Sequence, residues 1–264
     1  MCAKFNCLSY LNEESKLLIC GECDAIYNEC EFTGKIFSNV QNKSSVIKKI
    51  FHRLSHVIIS YNIANEYLRY LKLYTKMNFK NVLEIGANYG CFIKKLETNG
   101  INTIRIESDK SFIDLGVSKN TKCMFFTADY HTDEKYDLIC LTQMIYFLRD
   151  NYAVLNCVKN MLSSNGLVFI TTSSGIPKMY SSPTSGKRDE ISRNMILSKK
   201  NYESFCKKLG FEIVNITNYH TNFKRKTKID YLKIILKLRK QMMPDPNGEI
   251  RFILLKSIDT IPKS

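Results

Sequence analysis

Two acids and two glycines stand at spacings that could do chemistry. Glu84 lies two residues before Gly86 in NVLEIGANYGCF (81–92), and Gly90 follows four residues later. Glycines at such a turn let the backbone approach a ligand with no Cβ in the way. The middle glycine of a dinucleotide loop is replaced by Asn88. An acid before the turn would repel a pyrophosphate and attract an ammonium or sulfonium group. Glu107 comes about 20 residues further on, where a carboxylate suits the two hydroxyls of a ribose. These residues call for a nucleoside with a cationic tail.

The surrounding pattern says what must position them. Apolar runs at 81–85, 101–107, 122–129, 136–142 and 167–173 read as strands, and helical stretches alternate with them. SDKSFIDLGVSK opens on Ser108, a predicted helix cap, and SKKNYESFCKKLG is a helix closed by Gly210. Asn165-Gly166 is predicted to turn into the fifth strand. Two more strands, 211–219 and 250–258, are joined through a basic helix near 228–241 and a Pro/Gly turn. The expectation is an α/β fold, a doubly wound seven-stranded sheet. It is mostly parallel, with an antiparallel last strand at its edge. Ligands of such sheets bind beyond the carboxyl ends of the strands.

NVLEIGANYGCF resembles the first motif of class I S-adenosylmethionine-dependent methyltransferases, whose donor is a nucleoside with a sulfonium tail. RIESDKSFIDLG resembles the family's second motif, and FFTADYHTDEKYDLICLTQMIYFL its third and fourth. MLSSNGLVFITT and SKKNYESFCKKLGFEIVNI are similar to the later core. The resemblance covers residues 79–258. It implies that Glu84, Gly86, Ala87 and Gly90 hold the methionine portion and Glu107 the ribose. Ser108, Asp129 and Tyr130 would flank the adenine, and Thr142 and Gln143 the sulfonium. Many relatives carry Leu-Glu-His after the fourth strand. Here Ile145-Tyr146-Phe147 stands in its place, which removes a familiar histidine.

Methyl transfer to oxygen usually needs a base. The candidates are Tyr146, just after the fourth strand, and His56, which shares a helix face with His52 in the amphipathic stretch 44–76. For His56 the alternative is an ordinary surface histidine, and for Tyr146 a packing residue. Ahead of that stretch, residues 1–32 hold five of the ten cysteines. Cys20-Gly-Glu-Cys23 looks like a zinc knuckle, and many small-molecule methyltransferases carry a zinc ribbon before the core. Cys2 and Cys7 would supply a second pair for structural Zn2+. Free thiols in a degenerate ribbon are the alternative. The organisation expected is a cysteine-rich segment (1–32), a helical cap or linker (33–78) and a donor-binding core (79–264).

Composition bounds the rest. The chain has 264 residues, 44% of them hydrophobic, enough for one large core. No apolar run is long enough to span a bilayer, and no signal-peptide core opens the chain. Ten cysteines without an export signal point to the reducing cytoplasm. The net charge of +14 is spread over scattered lysines and reads as a solvated face, with KRKTK (224–228) a basic cluster. The acceptor expected is a small or sugar-like molecule methylated at oxygen, with the long polar segment 174–196 shaping its pocket. The alternatives are RNA methylation and a non-catalytic nucleotide-binding or zinc-dependent interaction protein.

Overall fold

The computed structural model describes residues 8–12, 17–21, 25–28, 46–114, 116–118, 120–148, 150–174, 195–221, 242–244 and 250–258. The basic helix expected at 228–241, the cluster 224–228, and residues 175–194 of the polar segment lie outside the described residues.

The main sheet has eight strands. In chain order they are β4 (Asn81–Ile85), β5 (Asn102–Glu107), β6 (Thr121–Cys123), β7 (Tyr136–Thr142), β8 (Leu162–Ser173), β10 (Phe211–Thr221), β11 (Met242–Pro244) and β12 (Ile250–Ser257). Their spatial order is β11-β10-β12-β8-β7-β4-β5-β6. The five strands from β6 to β8 are parallel. β12 runs antiparallel to both β8 and β10, and β11 antiparallel to β10. The predicted seven-stranded mixed sheet is present, with β11 as a short eighth strand. Order reverses around β4, with β5 on one side and β7 on the other, which is where open α/β sheets bind ligands.

One placement differs from expectation. The last strand, β12, is interior, between β8 and β10. Its residues Phe252, Ile253, Leu254 and Leu255 are all 0% exposed, so both faces are covered. A continuous apolar run marks such a strand, where an exposed edge would alternate. Two details also move. The third strand shrinks to Thr121–Cys123, and Phe125 beyond it is exposed. The turn at Asn165-Gly166 is an irregularity inside β8, where pairing jumps from Tyr136↔Leu162 to Leu138↔Leu167.

Helices cover both faces. Alternation along β4 sends Val82 to one side and Leu83 to the other. On Val82's side α1 (Val46–Tyr74) and α2 (Cys91–Glu97) pack onto Phe169, Phe252 and Leu254. On Leu83's side lie α4 (Asn151–Met161) and α5 (Lys199–Leu209), through Val154, Leu155, Val158, Tyr202 and Phe205. α5 starts and stops as its sequence demands. Ser198 forms a capping box with Asn201, and Gly210 ends the helix at φ 69°, a left-handed state that favours glycine. α3 (Lys110–Asp114) is short and begins after Asp109, so Ser108 is not its cap.

The stretch expected to serve as cap and linker does more than that. Over residues 57–74, α1 is a layer of the core. Tyr67 packs edge-on to Phe92, Phe169 and Phe252, while Tyr70 stacks on Phe169. Burying such side chains contributes about 1.5–3 kcal/mol each. The Val57 carbonyl lies 3.9 Å from Cys91 Sγ, at the start of α2. The helix before Val57 therefore continues past the carboxyl ends of the strands. Residues 46–56 carry it on for roughly 16 Å, at about 1.5 Å per residue.

A second sheet is antiparallel, in the order β1 (Leu8–Asn12), β2 (Leu17–Cys20), β3 (Ile26–Asn28), β9 (Met195–Ile196). Its last strand joins from far along the chain, just ahead of α5, through Ile26↔Ile196 and Tyr27↔Met195. β9 also contacts the 3-10 turn Ile145–Phe147 that follows β7. This sheet is thereby fastened beside the carboxyl ends of the main strands.

Candidate functional site

The glycine turn closes directly on β4. Its shape comes from two backbone bonds to β5, in which Gly86 N–H donates to the Ile106 carbonyl at 2.9 Å and Ala87 N–H at 3.4 Å. Gly86 and Gly90 have φ of 74° and 70°, and Asn88 between them has φ 49°. A Cβ on Gly86 would collide with the Met144 side chain, which comes over from the end of β7. The turn is thus a crowded crossing of β4, β5 and β7, and only glycine fits at position 86.

Glu84 stands beneath it. The side chain is 2% exposed. Oε1 accepts the Thr142 hydroxyl at 2.7 Å; Oε2 makes no hydrogen bond of ordinary geometry among the described residues, though the Ile93 backbone amide acts on the carboxyl. Burial pushes this carboxyl up to about 8, against the pull of the Thr142 hydrogen bond and the Arg105 charge. A carboxyl placed so keeps its proton until a cation comes beside it, and then gives it up.

Glu107, at the end of β5, is buried and turned toward the same loop. Its Oε2 accepts Asn88 N–H at 2.8 Å, and Oε1 accepts the amides of Ser108 at 2.8 Å and Asp109 at 3.0 Å. Ser108 is exposed beside it. Met124 N–H reaches the Glu107 carbonyl at 3.1 Å, which brings the loop after β6 alongside. In that loop Asp129 is exposed. Tyr130 is anchored by Lys122 Nζ on its hydroxyl and by the Cys157 thiol on its carbonyl.

Thr142 ends β7, and Gln143 follows it. Gln143 has φ 57°, uncommon for a residue with a Cβ. Its N–H donates to the Thr171 carbonyl at 2.9 Å, and the Thr171 hydroxyl accepts both its N–H and its Nε2. That hydroxyl also meets Tyr67 Oη of α1 at 3.3 Å. Sequence reading missed Tyr67, Thr171 and Met144, and it missed Arg105. The four-residue run Thr171-Thr172-Ser173-Ser174, polar yet buried throughout, was a signal that could have directed attention to the end of β8.

Glu84, Gly86, Ala87, Gly90, Glu107, Ser108, Thr142 and Gln143 thus converge at the carboxyl ends of β4, β5 and β7. Asp129 and Tyr130 stand in the loop after β6, which meets Glu107 through Met124. Two predicted residues are placed by backbone alone. His56 is on the part of α1 that overhangs the strand ends, and Tyr146 is in the turn after β7; their side chains lie outside the described residues. So do Cys2, Cys7 and Cys23 and the side chain of Cys20. Among the described residues no group of three or more His, Cys, Asp or Glu could hold a metal ion. No described helix is long and apolar enough to cross a membrane.

Comparison with known proteins agrees with this geometry. A family model described as "Methyltransferase domain" matches residues 47–216. Among solved structures, a SAM-dependent methyltransferase from Thermotoga maritima, titled a possible histamine N-methyltransferase, has a TM-score of 0.55 at 17% identity. The match covers 80% of this chain and 96% of that one. A SAM-dependent methyltransferase from Archaeoglobus fulgidus gives 0.52 at 15%, covering 74% and 93%. The plantazolicin methyltransferase BpumL in complex with SAH gives 0.52 at 13%, covering 80% and 89%. Against curated protein sequences nothing matches. The chain belongs to the methyltransferase-domain family and has the fold of S-adenosylmethionine-dependent methyltransferases.

Proposed function

We propose that the chain transfers the methyl group of S-adenosylmethionine to an oxygen of a small or sugar-like acceptor. The observation that carries the donor is Glu84, a buried carboxyl with one oxygen outside hydrogen-bond geometry among the described residues, under a glycine turn and on the same sheet face as Glu107. In this reading the amino-acid end of the donor lies along Gly86, Ala87 and Gly90, toward the Glu84 charge. Each Glu107 oxygen can accept more than one hydrogen bond, so the ribose hydroxyls add to its amide partners. Ser108, Asp129 and Tyr130 border the adenine, and Thr142 and Gln143 face the sulfonium.

The reaction is an in-line displacement. The acceptor oxygen attacks the methyl carbon, the carbon–sulfur bond breaks, and the sulfonium becomes a thioether. The acceptor proton passes to a base, for which His56 and Tyr146 are the candidates. Both come from elements at the strand ends, the α1 overhang and the turn after β7. The sheet β1-β2-β3-β9 stands beside that turn, so the N-terminal segment forms one wall of the acceptor side.

The same segment suits a structural Zn2+ on Cys2, Cys7, Cys20 and Cys23. Leu8 pairs with Cys20, and Cys7 directly precedes Leu8 in the sequence. Elemental analysis showing no zinc in the purified protein would remove this reading. Cys91, Cys140, Cys157 and Cys206 are buried free thiols, which suits a cytoplasmic protein. The acceptor is tested by a transfer screen over sugar nucleotides, small phosphorylated metabolites and RNA, read as S-adenosylhomocysteine formed. Turnover with a hydroxylated small molecule is the expected result. Salt-dependent turnover with RNA alone would replace it with the RNA reading.

A further inference from the structure

Arg105 lies on β5 two residues before Glu107, on the same face, and is 0% exposed. A guanidinium so placed is costly unless its N–H groups meet acceptors. Nε donates to the Thr121 hydroxyl and Nη1 to the Asn88 carbonyl at 2.8 Å, while Nη2 reaches the Ile113 carbonyl at 3.5 Å. Two glycines make room for it. A Cβ on Gly90 would lie 2.8 Å from Nη1, and one on Gly116 would collide with Nη2.

Asn88 is therefore gripped at both ends. Its N–H goes to the Glu107 carboxylate and its carbonyl to the Arg105 guanidinium. Both grips come from one face of one strand. Asn88 is also the residue that stands where a dinucleotide loop has its middle glycine, and it holds φ 49°. A glycine takes that conformation freely, whereas a residue with a Cβ needs help.

We propose that Arg105 is a positioning residue for the donor. With Glu107 it forms an anion–cation pincer that holds Asn88 in the left-handed state, and so presents Gly86 and Gly90 at the right depth. This rests on the donor reading above. Arg105 itself touches no donor atom and acts through the loop.

The test is the dissociation constant of S-adenosylhomocysteine by titration calorimetry, with the ligand-free melting temperature measured alongside. Arg105→Met is expected to weaken binding about tenfold. Gly116→Ala, which displaces the guanidinium without removing it, should weaken binding similarly, and should add nothing in the Arg105→Met background. Asn88→Gly should recover much of the Arg105→Met loss. A purely structural arginine would lower the melting temperature and leave the affinity of the folded protein unchanged. That outcome, or additive losses in the double variant, overturns the proposal. If Arg105→Met does not fold, Arg105→Lys and Gly116→Ala carry the same comparison. A wild-type protein that binds no S-adenosylhomocysteine would overturn the donor reading and this inference together. Wild-type binding with unchanged variant affinity overturns this inference alone.

Discussion

Glu84 is where residue-scale chemistry is sharpest. An unfolded glutamate titrates near 4.5, and this buried one at about 8. Between those values the folded protein keeps a proton that the unfolded chain has released. Stability of the free protein therefore falls as pH rises through that window. Glu84→Gln stays neutral and should flatten that part of the slope in thermal melts from about pH 5 to about pH 8. The ammonium end of the donor favours the ionised carboxylate, so wild-type affinity should rise with pH across the same window and the variant's should not. Equal slopes for both proteins would contradict the assignment of Glu84. The residues of the glycine turn were legible in the sequence because they lie within a dozen positions of each other. Arg105 was not, because its partners Asn88, Ile113 and Thr121 come from three separate stretches and meet only in the fold.

Among the elements, α1 shows how packing reaches the site. Tyr67 touches Phe92, Phe169 and Phe252 and, through its hydroxyl, Thr171, which in turn holds Gln143. Tyr67→Phe should cost about 1 kcal/mol for the lost hydrogen bond. Tyr67→Ala should cost about 3–5 kcal/mol for the cavity left among the aromatic rings. Chemical denaturation checks both, and an unchanged midpoint for Tyr67→Ala would contradict the placement of α1 in the core. The amphipathic pattern of 44–76 announced the helix. Pattern alone did not say that its second half lies on the sheet while its first half overhangs the strand ends. The strand run FILL (252–255) did carry its answer, since four consecutive apolar residues mark an interior strand. The antiparallel direction of the last strand drew attention to the edge instead.

For the whole molecule, the parallel core and its ligand end follow from alternating strands and helices, and those were legible. The pairing of β9 with β3 was not. Two residues, Met195 and Ile196, carry no strand signal of their own and gain their place only from Ile26 and Tyr27. That pairing, with the contact of β9 to the turn after β7, ties the N-terminal sheet to the carboxyl ends of the main strands, so in the proposed reading acceptor choice is a property of the assembled chain.

The central claim is that this fold holds S-adenosylmethionine at the ends of β4 and β5. Its most direct measurement is the melting temperature of the full chain with rising S-adenosylhomocysteine. The account predicts a saturable single-site rise, equivalent to about 2.7 kcal/mol at a ligand concentration about 100 times the dissociation constant. Glu107→Gln, which changes half of the carboxylate assigned to the ribose to an amide, should remove most of that rise. A melting temperature that does not move with ligand, or moves equally in wild type and Glu107→Gln, would contradict the account.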